Sequence, residues 1–380
     1  MNQITHITDV AKAAASEAGF ELAGVAPVRD FDELDRFREW VAAGRAGEMK
    51  YMEARDDAGS LKRASLCSTL PWVRSVIVCA INYNTAQPYS TQVNDPQRGW
   101  IARYAWGQQD YHEAVLHRLR AVESKLRDAV GNSQMQTRCY VDTGPLVERV
   151  YAKYAGIGWI GKNTCILNQK LGSWLFLGVI LTSLELEPDL PAPDRCGTCT
   201  RCIDACPTDA LVAPYQLDSN RCISYLTIEK RGAITEELRS GMGHEVFGCD
   251  ICQDVCPWNR KAPASAAAEF QPREGLVNPA LEWLAGMTDE EFRKRFRGSA
   301  LRRAKRAGLR RNAVIAMGNS GDQRFGPLLE KLKTDEDPVV AESAAWAAKR
   351  LSEESPMQGG HSCPPRLTCF EQSKHDRRGS

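Results

Sequence analysis

No apolar run in this 380-residue chain is long enough to cross a bilayer: the longest, Trp174 to Thr182, falls far short of the roughly 20 residues a spanning helix needs. The opening stretch MNQITHITDVAKAAASEAGF lacks a basic start followed by an apolar block, so it reads as an amphipathic helix rather than an export signal. Histidine is scarce, six in all and scattered, which leaves little support for a histidine metal site. A G-x-G-x-x-G turn opening a βαβ unit, a G-x4-G-K-[ST] phosphate loop, H-E-x-x-H and G-x-S-x-G are all missing, and with them the usual marks of dinucleotide enzymes, P-loop enzymes, zincins and serine hydrolases. A net charge of +1 excludes a chain tuned as a whole to a polyanion, so any nucleic-acid surface must be local. These absences predict a cytoplasmic protein with no membrane partner.

Cysteine is plentiful. Fourteen cysteines without an export signal point to thiolate metal ligation in a reducing compartment rather than to disulfides. The stretch RCGTCTRCIDACP, from Arg195 to Pro207, has the C-x2-C-x2-C-x3-C-P spacing of ferredoxin-type [4Fe-4S] ligation, in which the fourth cysteine serves a second cluster. GCDICQDVCPWN, from Gly248, is one cysteine short of a second run, and Cys222 between the runs can make up the deficit. This predicts one cluster on Cys196, Cys199, Cys202 and Cys256, and another on Cys206, Cys222, Cys249 and Cys252. Zinc on four thiolates is the alternative, but three cysteines crowded at this spacing and two Cys-Pro pairs suit it poorly. Cys67, Cys79, Cys139 and Cys165 read as small core residues, and Cys363 and Cys369 receive no function.

Hydrophobic patterning predicts an α+β start: a helix from Ile7 running into an apolar segment at LAGVAPV, a helix near Phe31 to Trp40, a buried strand at Val73 to Tyr83, and a helix at Tyr111 to Val130 ended by Gly131. A strand at Gln136 to Val141, a helix from Leu146 to about Ala155 and a strand at Trp174 to Leu181 follow. The boundaries drawn are 1–190 for a catalytic domain, 191–262 for a ferredoxin-like two-cluster domain, 263–352 for a helical region and 353–380 for a disordered tail. Three helices beginning near Leu309, Phe325 and Pro338 suggest a HEAT-like repeat. Ten Lys and Arg with no acid fill Arg293 to Arg311, leaving a net −9 for the rest of the chain, and this density favours a phosphate surface carried by Arg302, Arg303, Lys305 and Arg306.

Clusters ligated only by cysteine carry electrons, so the chemistry must sit elsewhere. CYVDTGPLVER (from Cys139), GIGWIGKNT (from Gly156) and LGSWLFLG (from Leu171) form the remaining constellation, with Asp142 where a strand gives way to a helix; taken alone, Asp142 could be a turn or capping residue. With LKRAS (from Leu61), ARYAWGQQDYH (from Ala102) and FGCDICQDVCPWN (from Phe247), these pieces resemble the epoxyqueuosine reductase family over nearly the whole of 1–352. Thr143-Gly144 departs from the Ser-Ala expected of many relatives, a small-for-small exchange. The resemblance implies a nitroreductase-like, reductive-dehalogenase-like cobalamin domain, cobalamin fed by two [4Fe-4S] clusters, a tRNA substrate, an external low-potential electron donor and a monomer. It makes Asp142 the proton donor for epoxide opening. It also names Arg63, Tyr104, Trp106, Asp142, Asn163, Ile166, Ser173, Leu177 and Thr227 as cobalamin-pocket candidates. The competing readings are a corrinoid reductive dehalogenase acting on a small organohalide, a ferredoxin-like electron carrier, and a tRNA-binding scaffold with structural clusters.

Overall fold

The computed structural model describes residues 3–131 and 135–353, so the expected disordered tail with its two cysteines lies outside the described residues. Its centre is a four-stranded antiparallel sheet in the order Leu22–Pro27, Ser75–Asn82, Leu175–Thr182, Thr137–Tyr140. Pairings such as Val25 with Ile77, Cys79 with Gly178 and Cys139 with Ile180 fix its register. The Ser75–Asn82 strand is buried along its whole length because both faces are covered. Ile77, Cys79 and Ile81 join one core with the helices Gln3–Glu17 and Tyr111–Val130, while Val76, Val78 and Ala80 join another with Asp32–Ala42 and Glu148–Tyr154. The two-residue period of a strand thus explains a sequence run that is apolar at every position.

The Tyr111–Val130 helix begins and ends as its sequence dictates. Asp110 caps it by accepting from the His112 N–H at 3.0 Å, and Gly131, in the left-handed region at φ 60°, ends it. Gly178 lets this helix settle on the sheet, since a Cβ there would lie 2.9 Å from both Val115 and Leu119 side-chain carbons.

The cysteine-rich part is made of short helices, Arg201–Asp204, Ile223–Ile228 and Ile251–Asp254, with a small hairpin of Leu211–Ala213 and Gln216–Leu217. A parallel pairing of Glu245–Phe247 with Trp100–Ile101 ties it to the first part of the chain. The C-terminal part is helical, with Lys305–Ser320, Gly326–Leu332 and Pro338–Glu353 where three helices are expected. It shares a single apolar core with Trp100, Ile101, Trp106, Val246 and Phe247, so its buried faces close on the body of the protein. Among the described residues no helix is long and apolar enough to cross a membrane.

Candidate functional site

A cavity of about 1130 Å³ opens between the sheet domain and the cysteine-rich part. Phe176 and Leu177 line it from the Leu175–Thr182 strand, Leu146 to Val150 from the loop and helix after Asp142, and Ile160, Asn163 and Cys165 from the glycine-rich turn. Cys206, Cys222, Cys249 and Cys252 form part of the opposite wall. Five residues expected in a cofactor pocket line this space: Arg63, Tyr104, Asp142, Asn163 and Leu177. Trp106, Ile166, Ser173 and Thr227 lie outside the lining, packed behind it.

Their partners explain that position. Trp106 donates from Nε1 to the Ile101 carbonyl at 2.7 Å and stacks edge-on against Trp100. The Ser173 hydroxyl meets Gln253 Nε2 at 3.0 Å and Asn259 Nδ2 at 2.9 Å. The Thr227 hydroxyl donates to the Ile223 carbonyl at 2.7 Å and accepts from the Gly248 N–H at 2.9 Å, and Ile166 is buried in the core beside the sheet. Trp106, Ser173 and Thr227 brace the wall whose inner surface others supply.

The eight clustered thiols fall into two mutually influencing sets. Cys202 feels the charges of Cys196 and Cys199, and Cys256 those of Cys196 and Cys202; burial first, then these neighbours, pushes both thiols up to about 11. Cys222 feels Cys206, Cys249 feels Cys222, and Cys252 feels Cys249 and Cys222. Of the eight, Cys206, Cys222, Cys249 and Cys252 line the cavity, and Cys196, Cys199, Cys202 and Cys256 do not. Among the described residues, no three His, Cys, Asp or Glu are gathered to hold a single metal ion. Lys162 reaches from the glycine-rich turn to the Gly197 and Cys199 carbonyls at 2.7 and 3.0 Å, and Asn163 donates to the Cys252 carbonyl at 3.2 Å, so one turn grips both runs.

Cys165 corrects the expectation of a plain core residue. It packs against the apolar cluster of Trp159, Leu167 and Cys256 and also lines the cavity, as does Cys252. Cys67, expected in the core, is exposed.

Asp142 sits on the cavity rim with its backbone in the left-handed region at φ 58°, a conformation aspartate tolerates better than most side chains. Its N–H donates to Glu148 Oε1 at 2.8 Å, and its carboxylate Oδ2 accepts from the Tyr111 hydroxyl at 3.2 Å and lies 3.5 Å from Arg303 Nη1. Glu148 lines the cavity and is half-buried; desolvation, then the charge of Asp142, pushes its carboxyl up to about 8. Tyr111 stacks on Phe176 with ring centres 4.5 Å apart, which holds the hydroxyl toward Asp142.

The basic segment is less uniform than its composition suggests. Arg293, Lys294, Arg297, Arg302 and Lys305 are exposed. Arg306 is instead engaged by Asp289 at 2.8 Å and Glu336 at 3.1 Å, Arg310 by Asp335 at 2.5 Å, and fully buried Arg311 by the carbonyls of Leu226, Lys230 and Gly232. Of the four residues expected to meet phosphate, Arg302 and Lys305 keep that possibility, Arg306 is held by two acids, and Arg303 turns inward to Asp142. Only a contact between residues far apart in sequence could have revealed Arg303 as a neighbour of Asp142, whereas Glu148 lies six residues on, within the CYVDTGPLVER stretch.

Residues 195–259 match the family described as a 4Fe-4S double cluster binding domain, and residues 63–143 the one described as Epoxyqueuosine reductase QueG, DUF1730. An epoxyqueuosine reductase of Synechocystis sp. is 44% identical over 295 residues, 76% of this chain and 98% of the relative. A crystal structure of an epoxyqueuosine reductase with an epoxyqueuosine-modified tRNA-Tyr stem loop aligns at 31% identity and TM-score 0.81, covering 92% of each chain. The Bacillus subtilis enzyme, with its catalytic aspartate loop swung out of the active site, aligns equally at 31% and 0.81 over 92% of each chain. Identity at this level, sustained over three quarters of the chain and nearly all of the relative, makes the protein a member of the epoxyqueuosine reductase family.

Proposed function

We propose that the protein reduces the epoxide of epoxyqueuosine at the wobble position of a tRNA to the alkene of queuosine. Family membership supports the reaction, and a relative's complex with a modified stem loop supports the RNA substrate. The observation that carries the reading in this chain is the cavity itself, with a set of four thiols on one wall and a carboxylate on the rim. The net change is epoxide, two electrons and two protons to alkene and water. Electrons reach the site singly through thiolate-held clusters, so a two-electron agent must stand beside the substrate.

The cavity suits such a group. At about 1130 Å³ it exceeds the 300 to 1,000 Å³ typical of drug-sized ligands, and apolar Phe176, Leu177 and Ile160 share its lining with the polar groups of Arg63, Tyr104 and Asn163. When bound there, cobalamin supplies a reduced cobalt centre capable of two-electron chemistry. Leu177 would cover the ring, while Arg63, Tyr104 and Asn163 would orient its amides. Trp106, Ser173 and Thr227 would act through the wall they brace, and Ile166 through the core beside the sheet.

Asp142 holds and delivers the proton that lets the epoxide oxygen leave, because an alkoxide is a poor leaving group without one. Tyr111 orients the carboxylate. We read the Cys196, Cys199, Cys202 and Cys256 set, away from the cavity, as the entry for electrons from an external low-potential donor, and the other set as the exit. The packing of Lys305–Ser320 against Pro338–Glu353 supports a HEAT-like reading of residues 263–352.

Asp142→Asn tests the assignment. It keeps size and hydrogen bonding but has no carboxylic proton, so cobalamin and stem-loop binding should persist while alkene formation falls roughly 100-fold or more. Turnover at the parent rate, with full cofactor loading and no deamidation, would return Asp142 to the status of a turn residue.

A further inference from the structure

Arg303 lies in the basic segment, yet its guanidinium bridges two inward-facing groups, Asp142 Oδ2 at 3.5 Å and His112 Nε2 at 3.0 Å. A guanidinium can only donate, so His112 Nε2 must accept. The imidazole proton then sits on Nδ1, facing Asp110 Oδ1 at 2.6 Å. Asp110 is fixed in turn, since the same oxygen caps the Tyr111–Val130 helix by accepting from the His112 N–H at 3.0 Å. A continuous chain of defined contacts therefore runs from a rigid helix end through Asp110, His112 and Arg303 to the carboxylate on the cavity rim.

Asp142 needs such support. Its backbone is in the left-handed region at φ 58°, its side chain is 54% exposed, and its N–H bond to Glu148 ties the turn without setting where the carboxylate points. Tyr111 contributes one hydroxyl contact from the helix. Further titratable groups coupled electrostatically to Arg303 are Tyr51, Tyr104 and Glu229.

We propose that Arg303 is a positioning residue, a latch anchored by the Asp110–His112 pair that holds the Asp142 turn over the cavity. It deepens the reading of Asp142 as proton donor and rests on it. The latch also gives the C-terminal region a direct hold on the reaction site, 161 residues away in sequence.

The test uses the cofactor-loaded full chain. In Arg303→Gln, amide hydrogen exchange of the segment from Val141 to Val147 should accelerate several-fold with no substrate present. The kcat on a modified stem loop should fall roughly 10-fold, with KM and the salt dependence of stem-loop binding within about twofold of the parent. Arg303→Lys, which keeps the charge but cannot span both partners, should recover only part of kcat. His112→Gln should loosen the same segment. Unchanged exchange and kcat, with weaker stem-loop binding and a flatter salt dependence, would make Arg303 a phosphate contact and overturn the latch. If Asp142→Asn proved fully active while Arg303→Gln still freed the turn, the proton assignment would fail and the latch would stand.

Discussion

Burial, then the charge of Asp142, pushes the Glu148 carboxyl up to about 8, whereas an ordinary glutamate ionises near 4.5. The folded state therefore binds this proton more tightly than the unfolded state. Its contribution to stability is undiminished below pH 4.5, declines as pH rises toward 8 while only the unfolded chain ionises, and levels off above 8. Glu148→Gln keeps an acceptor for the Asp142 N–H and removes the titration. Denaturant titrations across that window should show the stability of the parent falling relative to the variant as pH rises; parallel curves would mean that Glu148 ionises normally. Residues of this kind escape sequence reading. Asp142 was legible because it sits in a recognisable strand-to-helix motif, and the eight clustered cysteines because thiolate spacing is itself a geometric statement. The settings of Arg303 and Cys165 depend on contacts across the fold, and composition around Arg303 could not show that Asp142 lies beside it.

At the level of elements, the basic segment separates by role along its length. Arg310 lies in an ion pair with Asp335 that is 7% and 11% exposed, and its Nε also donates to the Ala285 carbonyl at 2.7 Å. Such groups hold helices together and are unavailable to RNA. The exposed pair Arg302 and Lys305, at the junction of the Ala300–Ala304 turn of 3-10 helix and the Lys305–Ser320 helix, is free to meet phosphate. Replacing both with Gln should weaken stem-loop binding and lower its salt slope by roughly 1 to 2 units, with kcat at saturating stem loop retained. An unchanged slope would move the RNA surface to another face. The helices and strands themselves were well anticipated, with Tyr111–Val130 matching its expected limits, because their apolar periods are long and their ends carry Asp110 and Gly131. Which side chains each helix turns toward RNA and which toward its neighbours was not, since arginine serves both purposes.

On the scale of the whole molecule, the eight clustered thiols divide by position: Cys206, Cys222, Cys249 and Cys252 line the cavity together with Cys165, and the other four do not. Cys222, from outside both runs, lines the cavity beside Cys206, Cys249 and Cys252, and the proposed inner cluster needs it as fourth ligand. Cys222→Ala should therefore lower bound iron and stop reduction of the cavity's occupant while the outer cluster remains reducible, as followed by paramagnetic resonance during stepwise reduction. Eight irons per chain with native spectra would remove Cys222 from the ligand set.

The apolar core shared by Trp100, Trp106 and Phe247 with Leu281, Val314, Phe325 and Leu351 sets a timetable for synthesis. Its first members leave the ribosome long before its last, and at about 5 to 20 residues per second the interval is roughly 10 to 50 s. Both cysteine runs emerge within that interval, while the core beside them still lacks its C-terminal half. The nascent chain thus offers its thiols from an unfinished scaffold. Closure by the last helix comes only after both cysteine runs have left the ribosome, so the core beside them is the last part of the scaffold to be completed.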